Sequence, residues 1–288
     1  MKIQAFFDEE TYTLTYAVFD PQTKDAVIID PVMDYEPASS SYFYDSINKV
    51  MEFVQAQQLN VVYIIETHAH ADHLSGSQEL KRRLSGAQVL IGEEIKSVQS
   101  TFKDVFHLDD DFKTDGSQFD RLVGDGEVFK AGSLEIKAIH TPGHTEACYS
   151  YLIEDAVFTG DALFMPDYGV ARCDFPKGSA ETLYRSVTEK LYQLPESTRV
   201  YTAHDYQPGG RPLRFESTIG ESKKSNIHIN ETTQQADFVK FREARDRTLS
   251  APKLLLPSVQ VNVDGGHFPE PEANGMSYLK IPVSQKND

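Results

Sequence analysis

Val61-Val62-Tyr63-Ile64-Ile65-Glu66-Thr67-His68-Ala69-His70-Ala71-Asp72-His73 passes from an apolar run straight into a loop crowded with metal-competent side chains. The run Val61–Ile65 is short, apolar and rich in β-branched residues, as a buried strand is. His68, His70, Asp72 and His73 then fall within six positions. A loop at the mouth of a strand lets alternating side chains point into one concavity. Imidazole nitrogen together with carboxylate oxygen is a ligand set for zinc, iron or manganese. A merely solvated loop has no reason to concentrate four such groups, so this stretch reads as a metal centre.

Three further strand ends follow the same logic. His140-Thr141-Pro142-Gly143-His144-Thr145 ends a strand over 134–139, and Pro-Gly forces a turn that presents His144. Thr159-Gly160-Asp161 ends a strand over 156–159, and Ala203-His204-Asp205-Tyr206 ends one over 199–202. Strand ends on one edge of a sheet converge, so the four are read together as one site. Strands are also expected over 11–18, 26–30, 88–91 and 150–153, with Asp125-Gly126 as a turn between strands. Ile47, Val50, Met51 and Val54 recur at helical spacing and predict a helix over 42–58. Leu183, Val187, Leu191 and Leu194 predict another, with a third over 76–85 and a helix then a loop across 92–120. This alternation, in two halves of similar order, fits a layered α/β architecture with buried sheets. From about Pro208 the chain turns Gly- and Pro-rich and polar, and is read as an extension ending in a solvated tail, Ser284–Asp288.

Charge narrows the function. The 28 Lys and Arg stand against 44 Asp and Glu, a net charge of −16. Such a surface repels phosphate backbones and anionic membranes, so neither nucleic acid nor membrane is an expected partner. No stretch approaches the ~18 apolar residues of a membrane span, and no export signal is visible. The expected location is the cytoplasm, with Cys148 and Cys173 reduced. Two cysteines exclude a disulfide framework and a Cys-rich zinc knuckle. A homodimer is the default assembly.

In order and approximate spacing, His68-x-His70-x-Asp72-His73, His144, Asp161 and His204 resemble the metallo-β-lactamase superfamily. That resemblance implies a four-layer αββα sandwich over 1–210, with the metal site at one edge between two sheets. Residues 211–288 would be a C-terminal extension packed on the same domain. Asp30 matches the family's early aspartate, which is usually structural. Thr159-Gly160-Asp161-Ala162-Leu163-Phe164, Arg172-Cys173-Asp174-Phe175 and Ala203-His204-Asp205-Tyr206 are similar to the persulfide dioxygenases, the ETHE1-like group. So are Glu181-Thr182-Leu183-Tyr184 and Ser186-Val187. The 33–58 insertion and Tyr206-Gln207-Pro208-Gly209-Gly210-Arg211 are similar to bacterial beta-lactamase-like hydrolases of sulfide-oxidation operons.

The resemblance implies one Fe(2+) per chain, held by His68, His144 and Asp161. Two imidazoles and one carboxylate leave coordination positions open, where O2 and a substrate sulfur can meet without losing encounter entropy. His70, Asp72, His73 and His204 would orient these ligands and move protons. Arg172, Tyr206, Thr145 and Arg211 are the expected substrate contacts. Cys173 is a candidate redox thiol, and Cys148 is expected in the core. The stretch Met165–Ala171 is two residues longer than in the animal-type pattern. The implied reaction oxidises glutathione persulfide with O2 to sulfite and glutathione, in sulfide detoxification.

The alternative is a binuclear hydrolase of the glyoxalase II type, cleaving a glutathione thioester with two Zn(2+). His68, His70 and His144 would hold one ion, Asp72, His73 and His204 the other, with Asp161 bridging and a hydroxide as nucleophile. The Arg172–Phe175 block, and the lack of an obvious basic helical substrate domain at the C-terminus, favour the dioxygenase. A non-enzymic, metal-dependent regulator is the third reading. No Cys-centred sulfurtransferase loop is present.

Overall fold

A computed structural model describes residues 1–283, so the tail expected at 284–288 lies outside the described residues. The N-terminal half runs β1 (Lys2–Asp8), β2 (Thr13–Phe19), β3 (Asp25–Ile29), β4 (Val32–Glu36), β5 (Ser41–Phe43), α1 (Asp45–Gln57), β6 (Asn60–Ile65), β7 (Leu74–Ser75), α2 (Ser77–Arg83), β8 (Gln88–Gly92), α3 (Ile95–Phe106) and β9 (Arg121–Val123). The second half continues with β10 (Val128–Ala131), β11 (Leu134–His140), β12 (Tyr149–Ile153), β13 (Ala156–Phe158), α4 (Ala180–Arg185), β14 (Arg199–Tyr201), β15 (Glu216–Thr218), α5 (Ile219–Ser225), α6 (Gln235–Asp246) and α7 (Leu255–Asn262).

The sheets follow from alternation. Along β2, Leu14, Tyr16 and Val18 face one side while Ala17 and Phe19 face the other, and both sides are buried. A strand buried on both faces belongs to the inner layers of a sandwich. One sheet has the order β1-β2-β3-β6-β8-β9 and the other β10-β11-β12-β13-β14-β15. Between them Tyr16, Ile29, Ile65 and Leu90 meet Ile136, Tyr149, Tyr151 and Phe158. The outer face of the first sheet is covered by Ile47, Val50 and Val54 of α1, Leu80 of α2, Ile95 and Val98 of α3, and Val259 of α7. That of the second is covered by Leu183 of α4, Ile219 of α5 and Phe238 of α6. The layers are therefore helix, sheet, sheet, helix, the expected αββα sandwich.

Strand direction sets the site. β3 and β6 are parallel, as are β13 and β14, and β11 lies antiparallel to β12, which is antiparallel to β13. The C-terminal ends of β11, β13 and β14 therefore share one edge, as do those of β3 and β6.

The structure departs from the sequence reading in three places. Residues 41–43 form β5, paired with β4, so the helix expected over 42–58 begins only at Asp45. The helix through Leu183–Leu194 opens into a π-helical turn at Ser186–Lys190 and a 3₁₀ turn at Leu191–Gln193. The segment after 210 is more ordered than its polarity suggested: β15 closes the second sheet, and α6 and α7 pack on the body. Among the described residues no helix is long and apolar enough to cross a membrane.

Candidate metal centre

Asp30 organises the loop after β6. It follows β3 with a left-handed φ of 48° and is buried. Its Oδ1 accepts from the Thr67 backbone N–H at 2.7 Å and its Oδ2 from the Thr67 hydroxyl at 2.8 Å. That hydroxyl, its proton already given to Asp30, accepts from His68 Nδ1 at 3.0 Å. The ring therefore keeps its Nε2 lone pair free. Gly160 permits this approach: at φ 51°, a Cβ there would lie 2.7 Å from the Thr67 hydroxyl.

Every other histidine of the set is oriented in the same way, with one nitrogen committed. His70 Nε2 faces Asp30 Oδ1 at 3.0 Å and Glu66 Oε2 at 3.3 Å, so Nδ1 is free. His73 Nδ1 donates to the Leu74 carbonyl at 3.1 Å, His144 Nδ1 to the Arg172 carbonyl at 2.7 Å, and His204 Nδ1 to the Tyr12 carbonyl at 3.2 Å. A carbonyl can only accept, so each of these rings carries a proton on Nδ1 and turns its Nε2 inward. The turn bearing His144 is itself anchored: the Ser186 hydroxyl donates to the Pro142 carbonyl at 2.6 Å, and the Ser179 N–H to the Gly143 carbonyl at 2.8 Å.

The free atoms converge. Ligand atoms of His68, His144 and Asp161 all lie within 4.8 Å of one another, and so do those of His70, Asp72 and His73. His204 Nε2 lies 3.1 Å from Asp72 Oδ2 and 3.4 Å from Asp161 Oδ1, and His144 Nε2 lies 3.4 Å from Asp161 Oδ2. Imidazole nitrogens and carboxylate oxygens turned toward one another in this way are a ready donor set for a cation. His68 Nε2, His70 Nδ1, Asp72 Oδ2, His73 Nε2, Asp161 Oδ1 and His204 Nε2 are all buried without a hydrogen-bond partner. Buried polar atoms are normally satisfied, so six orphans in and beside these two groups fit a metal centre. Burial, then the neighbouring His70, pushes His68 well below the usual imidazole range and brings His73 down to about 4. Both rings are thus held neutral, as ligands must be. In a third group, Asp30, Glu66 and His70, Asp30 is bonded to His70 and Thr67, and Glu66 Oε1 accepts from the Ser75 and Ser77 hydroxyls.

The centre opens into a cavity of about 1000 Å³, whose wall includes Asp72, His144 and Asp161 beside Phe164, Tyr168, Phe175 and Tyr206. Tyr206 stacks on Tyr168 and on His204, at 4.7 and 5.4 Å between ring centroids. Arg172 also lines this wall, but its guanidinium is committed to Asp174 at 2.6 and 2.7 Å and to the Ser250 carbonyl at 2.7 Å. It therefore has little left for substrate, and its contribution to the site is the carbonyl that orients His144.

Three expectations are corrected. Arg211 is not part of the cavity wall; Asp205 and Asp167 hold all its charge, the former at 2.7 Å through two nitrogens. Thr145 lines a separate small pocket and engages Cys148 Sγ at 3.1 Å. Cys173 is buried away from the cavity, and burial pushes its thiol far above the ordinary range, the opposite of a reactive thiolate. Cys148 is buried likewise, its thiol pushed up to about 12.

One residue escaped the sequence reading altogether. Asn262, on α7, donates to the carbonyls of His70 and His73, both at 2.8 Å, and accepts from the Ser75 N–H at 2.8 Å. It clamps the metal-bearing loop from the C-terminal segment. No spacing signal marks it, because its partners lie 187 to 192 residues away. Phe175, at 5.0 Å from His144, also shapes the site.

Comparison with known proteins agrees with this geometry. Residues 9–204 match the family described as the Metallo-beta-lactamase superfamily. The chain is 48% identical to glyoxylase B2 of Dictyostelium discoideum, over 98% of this chain and 97% of that one. It is 32% identical to the human mitochondrial persulfide dioxygenase ETHE1, over 83% of this chain and 79% of the relative. Among solved structures, ETHE1 from Myxococcus xanthus superposes with a TM-score of 0.74 at 31% identity, covering 93% of this chain and all of that one.

Proposed function

The chain belongs to the metallo-beta-lactamase superfamily, and from that premise we propose that it is a mononuclear non-haem iron persulfide dioxygenase. The observation that carries the proposal is the group His68, His144 and Asp161, whose ligand atoms converge, with His144 and Asp161 lining a roomy cavity. Likeness to persulfide dioxygenases at 31 to 32% identity supports it. In the proposed reaction glutathione persulfide, O2 and water give glutathione, sulfite and two protons. These three residues would hold Fe(2+), which supplies the redox chemistry and open positions for both reactants. The protein's own part is orientation. Thr67 and the Arg172 carbonyl fix the two imidazole rings, and the aromatic wall of Phe164, Phe175 and Tyr206 excludes water from the reacting sulfur. Asp72 and His204, 3.1 Å apart at the cavity's inner end, are placed to hold and pass the protons released.

A second reading is favoured by one observation, a second donor group of Asp72 and His73, which the structure joins with His70 rather than leaving His70 beside His68 and His144. In that reading the enzyme is a binuclear zinc hydrolase of a glutathione thioester. Elemental analysis with an oxygen electrode separates the two. About one iron per chain, with O2 consumed and sulfite formed from glutathione persulfide, is expected. Two zinc ions, no O2 uptake and thioester cleavage abolished in His204→Ala would replace the dioxygenase with the hydrolase.

A further inference from the structure

The chain carries a charge of −16, and its metal centre adds Asp72 and Asp161 to the cavity wall. An anionic ligand would be repelled from this cavity unless cations face it directly. The two arginines that the sequence marks for that task are spent, Arg172 on Asp174 and Arg211 on Asp205 and Asp167. Arg242 also lines the cavity, but it is buried and paired with Asp246 at 2.6 Å. Lys49, exposed on α1, lines the same wall, but it shares its helix with Asp45, which lines that wall too. On the C-terminal segment the cations are Arg245, at the end of α6, and Lys253, just before α7. Both line the cavity, both are exposed, and among the described residues neither forms an ion pair or a side-chain hydrogen bond.

We propose that Arg245 and Lys253 form an anion-recognising subsite that binds the charged end of the thiol carrier. This deepens the dioxygenase proposal and rests on it for the identity of the reacting group. The volume supports it: about 1000 Å³ is at the upper end of ligand sites and far exceeds what O2 and a sulfane sulfur fill. A carrier long enough to use that space would keep its sulfur at His68, His144 and Asp161 while its anion meets the C-terminal segment. Carboxylate and phosphate are both anions that a guanidinium and an ammonium bind well, so glutathione and coenzyme A are the two sources to separate. Substrate discrimination would then come from the part of the chain after residue 210.

The test compares wild type, the double variant Arg245→Ala/Lys253→Ala, and Lys130→Ala/Lys137→Ala as a control for overall charge, the latter pair being exposed on β10 and β11. The readout is the kcat/KM for glutathione persulfide divided by that for the uncharged persulfide of 2-mercaptoethanol. Loss of two charge-assisted contacts should lower this ratio about tenfold or more in the double variant and not in the control. If coenzyme A is the carrier, the fall appears with coenzyme A persulfide instead. A ratio unchanged for both carriers overturns the subsite. If the wild type consumes no O2 with any persulfide, the dioxygenase proposal fails by itself. Calorimetric titration with S-methylglutathione and with coenzyme A then decides. Binding about tenfold weaker in the double variant upholds the subsite, whereas equal affinity, or no binding to wild type, rejects it.

Discussion

At the scale of residues, the site depends on which ring nitrogen holds the proton. Thr67, Leu74, Arg172 and Tyr12 each take one imidazole N–H, and the opposite nitrogen is left to the metal centre. Outside the centre, His228 accepts from the Val170 N–H at 3.3 Å and so is neutral in the folded chain. Burial, followed by the charges of Arg242 and Arg245, lowers it to about 4. The unfolded imidazole takes a proton near 6.5, so between about 6.5 and 4 the unfolded state binds more protons and stability falls as pH falls. Thermal melts across this window should show a steeper loss in wild type than in His228→Asn; equal slopes would contradict the assignment. Cys173→Ser should keep activity within about twofold, since a buried, protonated thiol has no part in the chemistry; steady-state rates check this. The histidines and Asp161 were legible in the sequence because they crowd short stretches at strand ends. Arg172 was misjudged because its neighbour Asp174, two positions on, was not read as its partner; Arg211 was misjudged because its partners are more distant. Asp205 lies six positions and Asp167 forty-four positions from Arg211.

At the scale of elements, α7 is the least expected participant. Its sequence, Leu255-Leu256-Pro257-Ser258-Val259-Gln260-Val261-Asn262, buries polar and apolar residues alike, so no amphipathic stripe announces it. Asn262 is the functional tip of this helix. Asn262→Leu would strand the carbonyls of His70 and His73 without a donor. The expected result is a loss of about 2–4 kcal/mol in stability and metal affinity lowered about 10–100-fold, read by denaturant titration and competition with a chelator. A variant with wild-type metal affinity would show that the loop holds its shape without the clamp. The strands of the two inner layers were legible, since alternation with both faces apolar is a strong signal. β1 was not: its outer positions are only half-buried, and it gains its place by pairing with β2.

For the whole molecule, the C-terminal segment closes the second sheet, lines the cavity and clamps the metal loop. A chain ended after Ser250 would lose Val259 and Val263 from the outer core, about 1.5–3 kcal/mol each, together with Asn262. It should retain secondary structure by circular dichroism but bind little metal by elemental analysis. Full metal content in the shortened chain would refute this. The layered α/β architecture was legible from the order of strands and helices, and the four-layer sandwich from the resemblance to the metallo-β-lactamase superfamily. What escaped notice was that the last 80 or so residues serve the same centre, because their contacts join distant parts of the chain.

Asn262 also bears on how the molecule comes into being. His73 and the residue that fixes its backbone are separated by 189 positions. A ribosome, adding about 5–20 residues each second, would therefore expose the ligand loop many seconds before its clamp is made. Throughout that interval the imidazoles are present but not yet locked, and the metal they will hold can be captured securely only once α7 has been made.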